Sequence, residues 1–287
     1  MRNECSYLAF FNLKTPPFSL IPDAKFFFPG RAHLESLEVL TFALHQGSLL
    51  SVLIGEPGLG KTQLLLTLLS RLEPRLKTIL IYNPALTPQE FFKTFFKELS
   101  LDFSQRPSGE NFYSILNKDE ILKRLKAFFT SSDRPFSRCL LVIDEAQLLP
   151  KETLEELRLL TNLNEGQDLI LQVFLIGQPT LSEKLKSPEL SPLRQRISVW
   201  ENLRPFQRDE VFPYLWFRIK QASESPEINF DKKIEKVLYK WSKGVPRLIN
   251  KLMDRALFVA YVRKERTIKK GHLKKAKETF PQGLLES

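Results

Sequence analysis

Cysteine is scarce in this chain: Cys5 and Cys139 are the only two, far apart among 287 residues. Two cysteines make no disulfide framework and no metal-ligand spacing. Cys139 opens an apolar run, where it reads as a small buried hydrophobe. Histidine is as thin: His33, His45 and His272 form no cluster, so no zinc site is expected. No apolar run approaches the roughly 18 residues of a membrane span, so no integral membrane segment is expected. The N-terminus has Arg2 but also Glu4, and no long apolar core follows, so it does not read as a signal peptide. Internal repeats and low-complexity tracts are absent. Two methionines and 11 glycines, beside 23 phenylalanines and 19 prolines, suit a thermophile.

What is present describes an ordinary soluble globular protein, 43% hydrophobic and 26% charged. The length allows one large or two modest domains with real cores. Lys plus Arg exceed Asp plus Glu by 43 to 33, a net charge of +10. That excess suits an anionic partner: nucleotide, nucleic acid or an anionic membrane face. A merely solvated basic surface competes with that reading.

One stretch organises the rest: Gly55-Glu56-Pro57-Gly58-Leu59-Gly60-Lys61-Thr62. It fits G-x-x-x-x-G-K-[ST], a pattern that chance puts in roughly one chain in a hundred of this length. The glycines let the backbone turn where a side chain would clash. The loop N–H groups then cradle phosphate oxygens, helped by the N-terminus of the next helix. Lys61 would reach the β- and γ-phosphates of ATP, and the Thr62 hydroxyl would bind Mg²⁺. Gln63, in the first helical turn, joins the nucleotide-binding set. Val52-Leu53-Ile54 before the loop reads as a buried strand, and Gln63 to Leu72 after it as a helix, the setting the motif requires.

Residues 5–30 carry Tyr7, Phe10, Phe11, Phe18 and Phe26-Phe27-Phe28 among prolines, without helical period. Such rings must be buried. The segment reads as an irregular strap on the nucleotide domain, either bordering the adenine or simply cladding the core. Leu34, Leu37, Leu40 and Leu44 then mark a helix stopped by Gly47. Leu49–Ile54, Thr78–Tyr82, Cys139–Ile143, Leu169–Ile176 and Ile197–Trp200 read as strands alternating with helices, hence a parallel sheet. Thr87-Pro88-Gln89-Glu90 is a helix start whose phenylalanine stripe (Phe91, Phe92, Phe95, Phe96) is core. Residues 102–117 read as a surface loop. After Arg204-Pro205 strands vanish and helices run to the end, with an awkward Pro213 early in one of them. The basic C-terminal stretch, Arg263 to Lys277, is either a solvated face or a phosphate contact.

Leu140-Leu141-Val142-Ile143-Asp144-Glu145 supplies the second half of an ATPase. Asp144 emerges at a carboxyl strand end, where ligands bind in open α/β sheets, and can hold Mg²⁺. Glu145 is placed to polarise the attacking water. Gln178, at the next strand end, reaches the γ-phosphate or that water if the two strands are neighbours; otherwise it is a glutamine before a turn. Arg194 and Arg196 lie at the lip of the fifth strand, and Arg247 opens a C-terminal helix. An arginine suits a planar anion, although a surface salt bridge is the commoner fate of each alone.

Together these features resemble an AAA+ ATPase. They are closer still to the ExeA-like branch, the general secretion pathway protein A type. Tyr7-Leu8-Ala9-Phe10-Phe11-Asn12-Leu13, Pro17-Phe18-Ser19-Leu20-Ile21-Pro22-Asp23, Asp144-Glu145-Ala146-Gln147, Gly177-Gln178-Pro179, Gln195-Arg196-Ile197 and Gly244-Val245-Pro246-Arg247 carry the likeness. The resemblance implies an α/β P-loop NTPase fold: a five-stranded parallel sheet with the nucleotide domain over 1–205, then a small all-α lid over 206–287. It implies Gln178 as sensor 1, Arg196 or Arg194 as a finger acting on a neighbour's ATP, and Arg247 as sensor 2. A finger acting in trans implies a nucleotide-dependent homo-oligomer, ring or filament. The implied role is Mg²⁺-dependent ATP hydrolysis for a cell-envelope machine of the type II secretion or type IV pilus kind. The alternatives are a DNA-acting ATPase (a transposition regulator or loader) and a nucleotide-dependent switch with little turnover. Family members often carry a transmembrane segment and a peptidoglycan-binding region after the ATPase. Neither stands in these residues, so a cytoplasmic protein is expected, bare or peripheral to the inner membrane through a membrane-associated partner.

Overall fold

Continuous apolar runs cannot alternate a wet and a dry face, so they build strands covered on both sides. The structure, a computed structural model, describes residues 6–73, 75–82, 84–101, 118–131, 135–164 and 171–280. Cys5, Leu169 and the loop expected over 102–117 lie outside them. Contacts divide the chain into two compact units: a sheet unit of Glu38–Glu56 and Arg71–Asn202, and a helical unit of Met1–Leu37, Pro57–Ser70 and Leu203–Ser287.

The sheet unit holds strands β1 (Leu50–Ile54), β2 (Leu76–Ile81), β3 (Arg138–Ile143), β4 (Leu171–Gly177) and β5 (Ile197–Asn202). All are parallel, in the order β2-β3-β4-β1-β5. This is the α/β P-loop architecture expected. β1 and β4 are buried along their whole length, whereas edge strand β5 is only partly covered. Register sets Ile54 beside Gly177 and Ile143 beside Leu175. The residues that follow β3, β4 and β1 therefore leave the sheet along one carboxyl edge. Cys139 is buried in β3 as expected, and burial pushes its thiol up to about 12.

The helices are α1 (Ser6–Phe10), α2 (Arg31–His45), α3 (Lys61–Leu69), α4 (Pro88–Glu98), α5 (Lys118–Thr130), α6 (Lys151–Thr161), α7 (Pro179–Leu185), α8 (Ser191–Arg194), α9 (Val211–Ala222), α10 (Lys233–Ser242), α11 (Pro246–Val262) and α12 (Lys270–Glu278). Thr87 caps α4 in a full capping box with Glu90, and the helix buries Phe91, Phe92, Phe95 and Phe96 in the sheet-unit core. Truncating one such ring to Ala costs about 3–5 kcal/mol. Gln172 interrupts the apolar β4, yet its amide donates to the carbonyls of Ala43, Leu44 and Ser48 around the end of α2. A buried amide is tolerated there because a carbonyl has two lone pairs, and those of Ala43 and Leu44 keep one beside the bonds from the Ser48 and Gly47 N–H groups.

In the helical unit the strap departs from expectation. It begins with the short helix α1, and Tyr7, Phe11, Phe18 and Phe26 share a core with Leu215, Ile219, Met253 and Leu257 of α9 and α11. The buried Arg218 on α9 fixes it. Its guanidinium donates to the carbonyls of Pro17 (2.5 Å) and Ser19 (3.0 Å) and lies 4.4 Å from the centre of the Phe26 ring. Burial holds that guanidinium below its ordinary pKa. Two further expectations change. Strands do not vanish after residue 205, because β6 (Asn229–Phe230) pairs in parallel with β7 (Thr267–Ile268). Pro213 does lie early in a helix but is not awkward there: a 3-10 turn over Arg208–Glu210 delays α9 to Val211, so Pro213 is its third residue. Its missing N–H thus falls in the first turn, where no helical acceptor is lost.

Candidate functional site

The glycine-rich loop leaves β1 at Gly55, whose N–H donates to the carbonyl of Gly177 at 3.1 Å, tying the loop's first residue to the end of β4. From Pro57 onward the loop belongs to the helical unit. Gly58 (φ 85) and Gly60 (φ 95) adopt left-handed backbone that only glycine enters without strain. A side chain on Gly58 would also meet Arg247 Cβ at 2.7 Å and Val245 at 3.2 Å. The Gly58 carbonyl accepts from the Arg247 N–H at 3.2 Å, and the Leu59 carbonyl from His33 Nε2 at 2.7 Å. Lys61 and Thr62 open α3, with Lys61 buried. Gln63 exchanges both ends of its amide with Asp23, accepting from its N–H at 2.9 Å and donating to its carbonyl. That side chain braces the strap, so any contact with nucleotide falls to the Gln63 backbone.

At the sheet edge Asp144 is buried, and its Oδ1 accepts the N–H of Glu145 at 2.9 Å. Glu145 sits at φ 54, ψ 38, a left-handed conformation that costs a non-glycine residue of order 1–3 kcal/mol. Its Oε2 accepts from Gln178 Nε2 at 2.9 Å and from Gln147 Nε2 at 2.5 Å. Gln147 Oε1 in turn accepts the Gln178 N–H at 3.1 Å. Lys184, on α7, donates to the carbonyls of Gln147 (2.5 Å) and Leu149 (2.8 Å). Burial, then the charge of Lys151, lowers the Lys184 pKa. A side chain on Gly177 would approach Gln147 Oε1 to 3.0 Å, so that glycine makes room for the network. Tyr82, just past β2, feels the same edge: partial desolvation, then the charge of Asp144, raises its phenol.

Of the predicted residues, Asp144, Glu145 and Gln178 are thus brought to one edge, and Gly58 to Gln63 are held with Arg247. The arginine pair is used locally. Arg194 donates to the Leu185 carbonyl at 3.0 Å, closing the end of α7, and lies 3.5 Å from the Ser191 hydroxyl. Among the described residues the Arg196 side chain makes one hydrogen bond, to the Thr161 hydroxyl at 3.0 Å. Two residues given no role from the sequence take one here. Gln147 bridges Glu145 and Gln178, and His33 holds the loop. His33 had a signal. With Leu37, Leu40 and Leu44 it stands on the single buried face of α2, a polar residue in apolar phase.

Comparisons with known proteins bear on the family and the fold. The AAA domain family matches residues 44–185. General secretion pathway protein A of Aeromonas hydrophila is 36% identical over 267 residues, covering 93% of this chain and 47% of that protein. The chain therefore spans about half the length of that curated relative. Among solved structures, Cdc6p from Pyrobaculum aerophilum matches with TM-score 0.64 at 18% identity, over 93% of this chain and 71% of that one. The RuvB Holliday junction branch migration motor of Thermotoga maritima matches with TM-score 0.54 at 24% identity, over 86% and 67%. At such identities the structural likeness speaks for the fold alone.

Proposed function

Since the chain belongs to the AAA+ P-loop ATPases, in their ExeA-like branch, we propose that it binds Mg²⁺ and ATP and hydrolyses ATP to ADP and phosphate. The observation that carries this reading is Glu145, held at a left-handed backbone with its carboxylate fixed by Gln178 and Gln147. A carboxylate so placed polarises a water, and the Gln178 amide orients it. Phosphoryl transfer needs this positioning more than covalent help from the protein. Lys61 and the loop N–H groups bind the phosphates. The donor set fits the metal. Asp144 and Thr62 offer hard oxygens, while among the described residues no group of three or more His, Cys, Asp or Glu is arranged to hold an ion. Magnesium is commonly held in this way, by one or two protein oxygens beside phosphates and water. When bound, it supplies charge neutralisation at the β- and γ-phosphates.

In this reading 1–205 is the nucleotide domain and 206–287 the lid, with Arg247 sensing the phosphates. A nucleotide-dependent homo-oligomer then lets Arg196 serve a neighbour's site. The named relative favours work in a secretion pathway, in the cytoplasm or peripheral to the inner membrane. Among the described residues no helix is long and apolar enough to cross a membrane. Purified chain should hydrolyse ATP in the presence of Mg²⁺, and Glu145→Gln should lower kcat about a hundredfold or more while nucleotide still binds. Wild type no faster than the variant, even at high protein concentration, would leave only a nucleotide-dependent switch. The net charge of +10 favours a second reading, action on DNA. Phosphate contact predicts affinity that falls steeply with salt, and negligible binding at low salt would end that reading.

A further inference from the structure

We propose that His33 is a positioning residue for nucleotide binding: its imidazole aims the Gly60 N–H at the phosphates. The proposal rests on the nucleotide-binding reading above and names a residue outside the loop motif.

The argument is geometric. Peptide units are planar, and none among the described residues is cis. In a trans unit the C=O and the N–H point in opposite directions. The Leu59 carbonyl is taken by His33 Nε2 at 2.7 Å, and the Gly58 carbonyl by the Arg247 N–H at 3.2 Å. The N–H groups of the same two peptide units belong to Gly60 and Leu59. They therefore face away from His33 and from the start of α11. Among the described residues, neither of them nor the Gly58 N–H meets an acceptor. Consecutive N–H groups left unanswered in such a turn are a cradle for an anion.

The imidazole is itself fixed. A carbonyl oxygen only accepts, so Nε2 carries the proton. Among the described residues Nδ1 is buried without a partner, so the ring is the neutral Nε2–H tautomer. The Phe206 ring packs 4.7 Å from it, centre to centre, and the Phe27 ring 6.5 Å. Phe206 also donates its N–H to the Gly244 carbonyl at 3.0 Å. Gly244 (φ 80) has no room for a side chain, because a Cβ would collide with the Phe206 carbonyl oxygen. From Gly244 the chain runs directly to Arg247. One residue, Phe206, thus braces both groups that hold the loop carbonyls.

The competing view is a histidine that merely satisfies a core carbonyl. Two variants separate the views. His33→Phe keeps the ring and loses the donor; His33→Gln loses the ring and keeps an N–H near the Nε2 position. Magnesium ADP is titrated calorimetrically into each full-length protein, with thermal unfolding as the companion readout. The Phe variant should bind about tenfold more weakly at a similar midpoint, and the Gln variant should recover most of that loss. Wild-type affinity in the Phe variant, or a Gln variant no better than Phe, overturns the proposal. Unaltered protein gives a test that no variant can spoil by misfolding. Imidazole ¹⁵N shifts should report the Nε2–H tautomer, and the Gly60 amide proton should move downfield when magnesium ADP is added. The other tautomer, or an unmoved Gly60 amide on binding, also overturns it. If wild type takes up no nucleotide at all, the nucleotide-binding reading itself has failed, and that outcome is distinct from the others.

Discussion

The sheet unit and the helical unit hold their functional groups by different means. At the sheet edge side chains are held: Glu145 by the amides of Gln178 and Gln147, and the turn beneath them by Lys184. In the helical unit the main chain is held, through the Gly58 and Leu59 carbonyls. On the proposed function, the difference follows from what each would have to present. A carboxylate that works on water is a side chain, and its rotamer must be fixed. A phosphate cradle is a row of peptide N–H groups, and peptide planes are turned by their carbonyls. Damage to the first should therefore appear in turnover, and damage to the second in binding.

Gln147→Leu puts the sheet edge to the test. Leucine keeps roughly the volume but removes the donor to Glu145 and the acceptor for the Gln178 N–H. Losing a charge-assisted bond of this kind is worth about 1.5–3 kcal/mol, so kcat should fall tenfold or more. KM for ATP and the affinity for magnesium ADP should barely change, the mark of an interaction felt chiefly in the transition state. An equal loss in binding, measured by titration, would break the contrast between the units.

The arginine pair sharpens it within the sheet unit. Arg194 closes α7 and borders Ser191, so Arg194→Ala should lower stability by about 1 kcal/mol in urea unfolding. Among the described residues the Arg196 side chain has one hydroxyl partner. Arg196→Ala should leave the urea midpoint almost unmoved and depress hydrolysis only at concentrations where subunits meet. The opposite pattern, with Arg194→Ala silent in stability and depressed in assembly-dependent turnover, would exchange their roles.

The phosphate loop, the buried strands and Asp144-Glu145 were legible because each is a local pattern: fixed glycine spacing, four apolar residues in a row, a carboxylate at the end of the run. The neighbour relation of β3 and β4 was legible only as a condition, since pairing is settled by the whole sheet. The partner of the strap was not legible. Its rings announce burial, but Pro17 meets Arg218 across 201 positions of sequence, and no local pattern encodes that. β6 and β7 were missed because two residues carry no alternation. Pro213 misled because a 3-10 turn shifted the helix start. His33 and Gln172 share a signal that can be read earlier: a polar residue in the apolar phase of an element, which must find a buried partner.

The smallest effect concerns acid. Burial lowers the His33 pKa below its ordinary value of about 6.5, partly offset by the Leu59 carbonyl and by the nearby Glu210 charge. Between the lowered folded value and 6.5 the unfolded chain binds a proton that the native ring refuses, so stability rises with pH across that window. The contribution is complete above about 6.5 and is lost as pH falls toward the folded value. His272, lowered mainly by burial although Glu265 opposes it, adds to the slope with the same sign. Urea midpoints taken from about pH 8 down to about pH 5.5 should fall for the wild type and fall less for His33→Gln, which leaves the His272 share. The protonated ring still donates from Nε2 to Leu59, so acid should cost the helical unit stability before it disturbs the aim of Gly60. Parallel slopes in the two proteins would mean that His33 does not carry this sensitivity, and a collapse of magnesium ADP affinity ahead of the urea midpoint would mean that the loop depends on the ring's charge rather than on its donor.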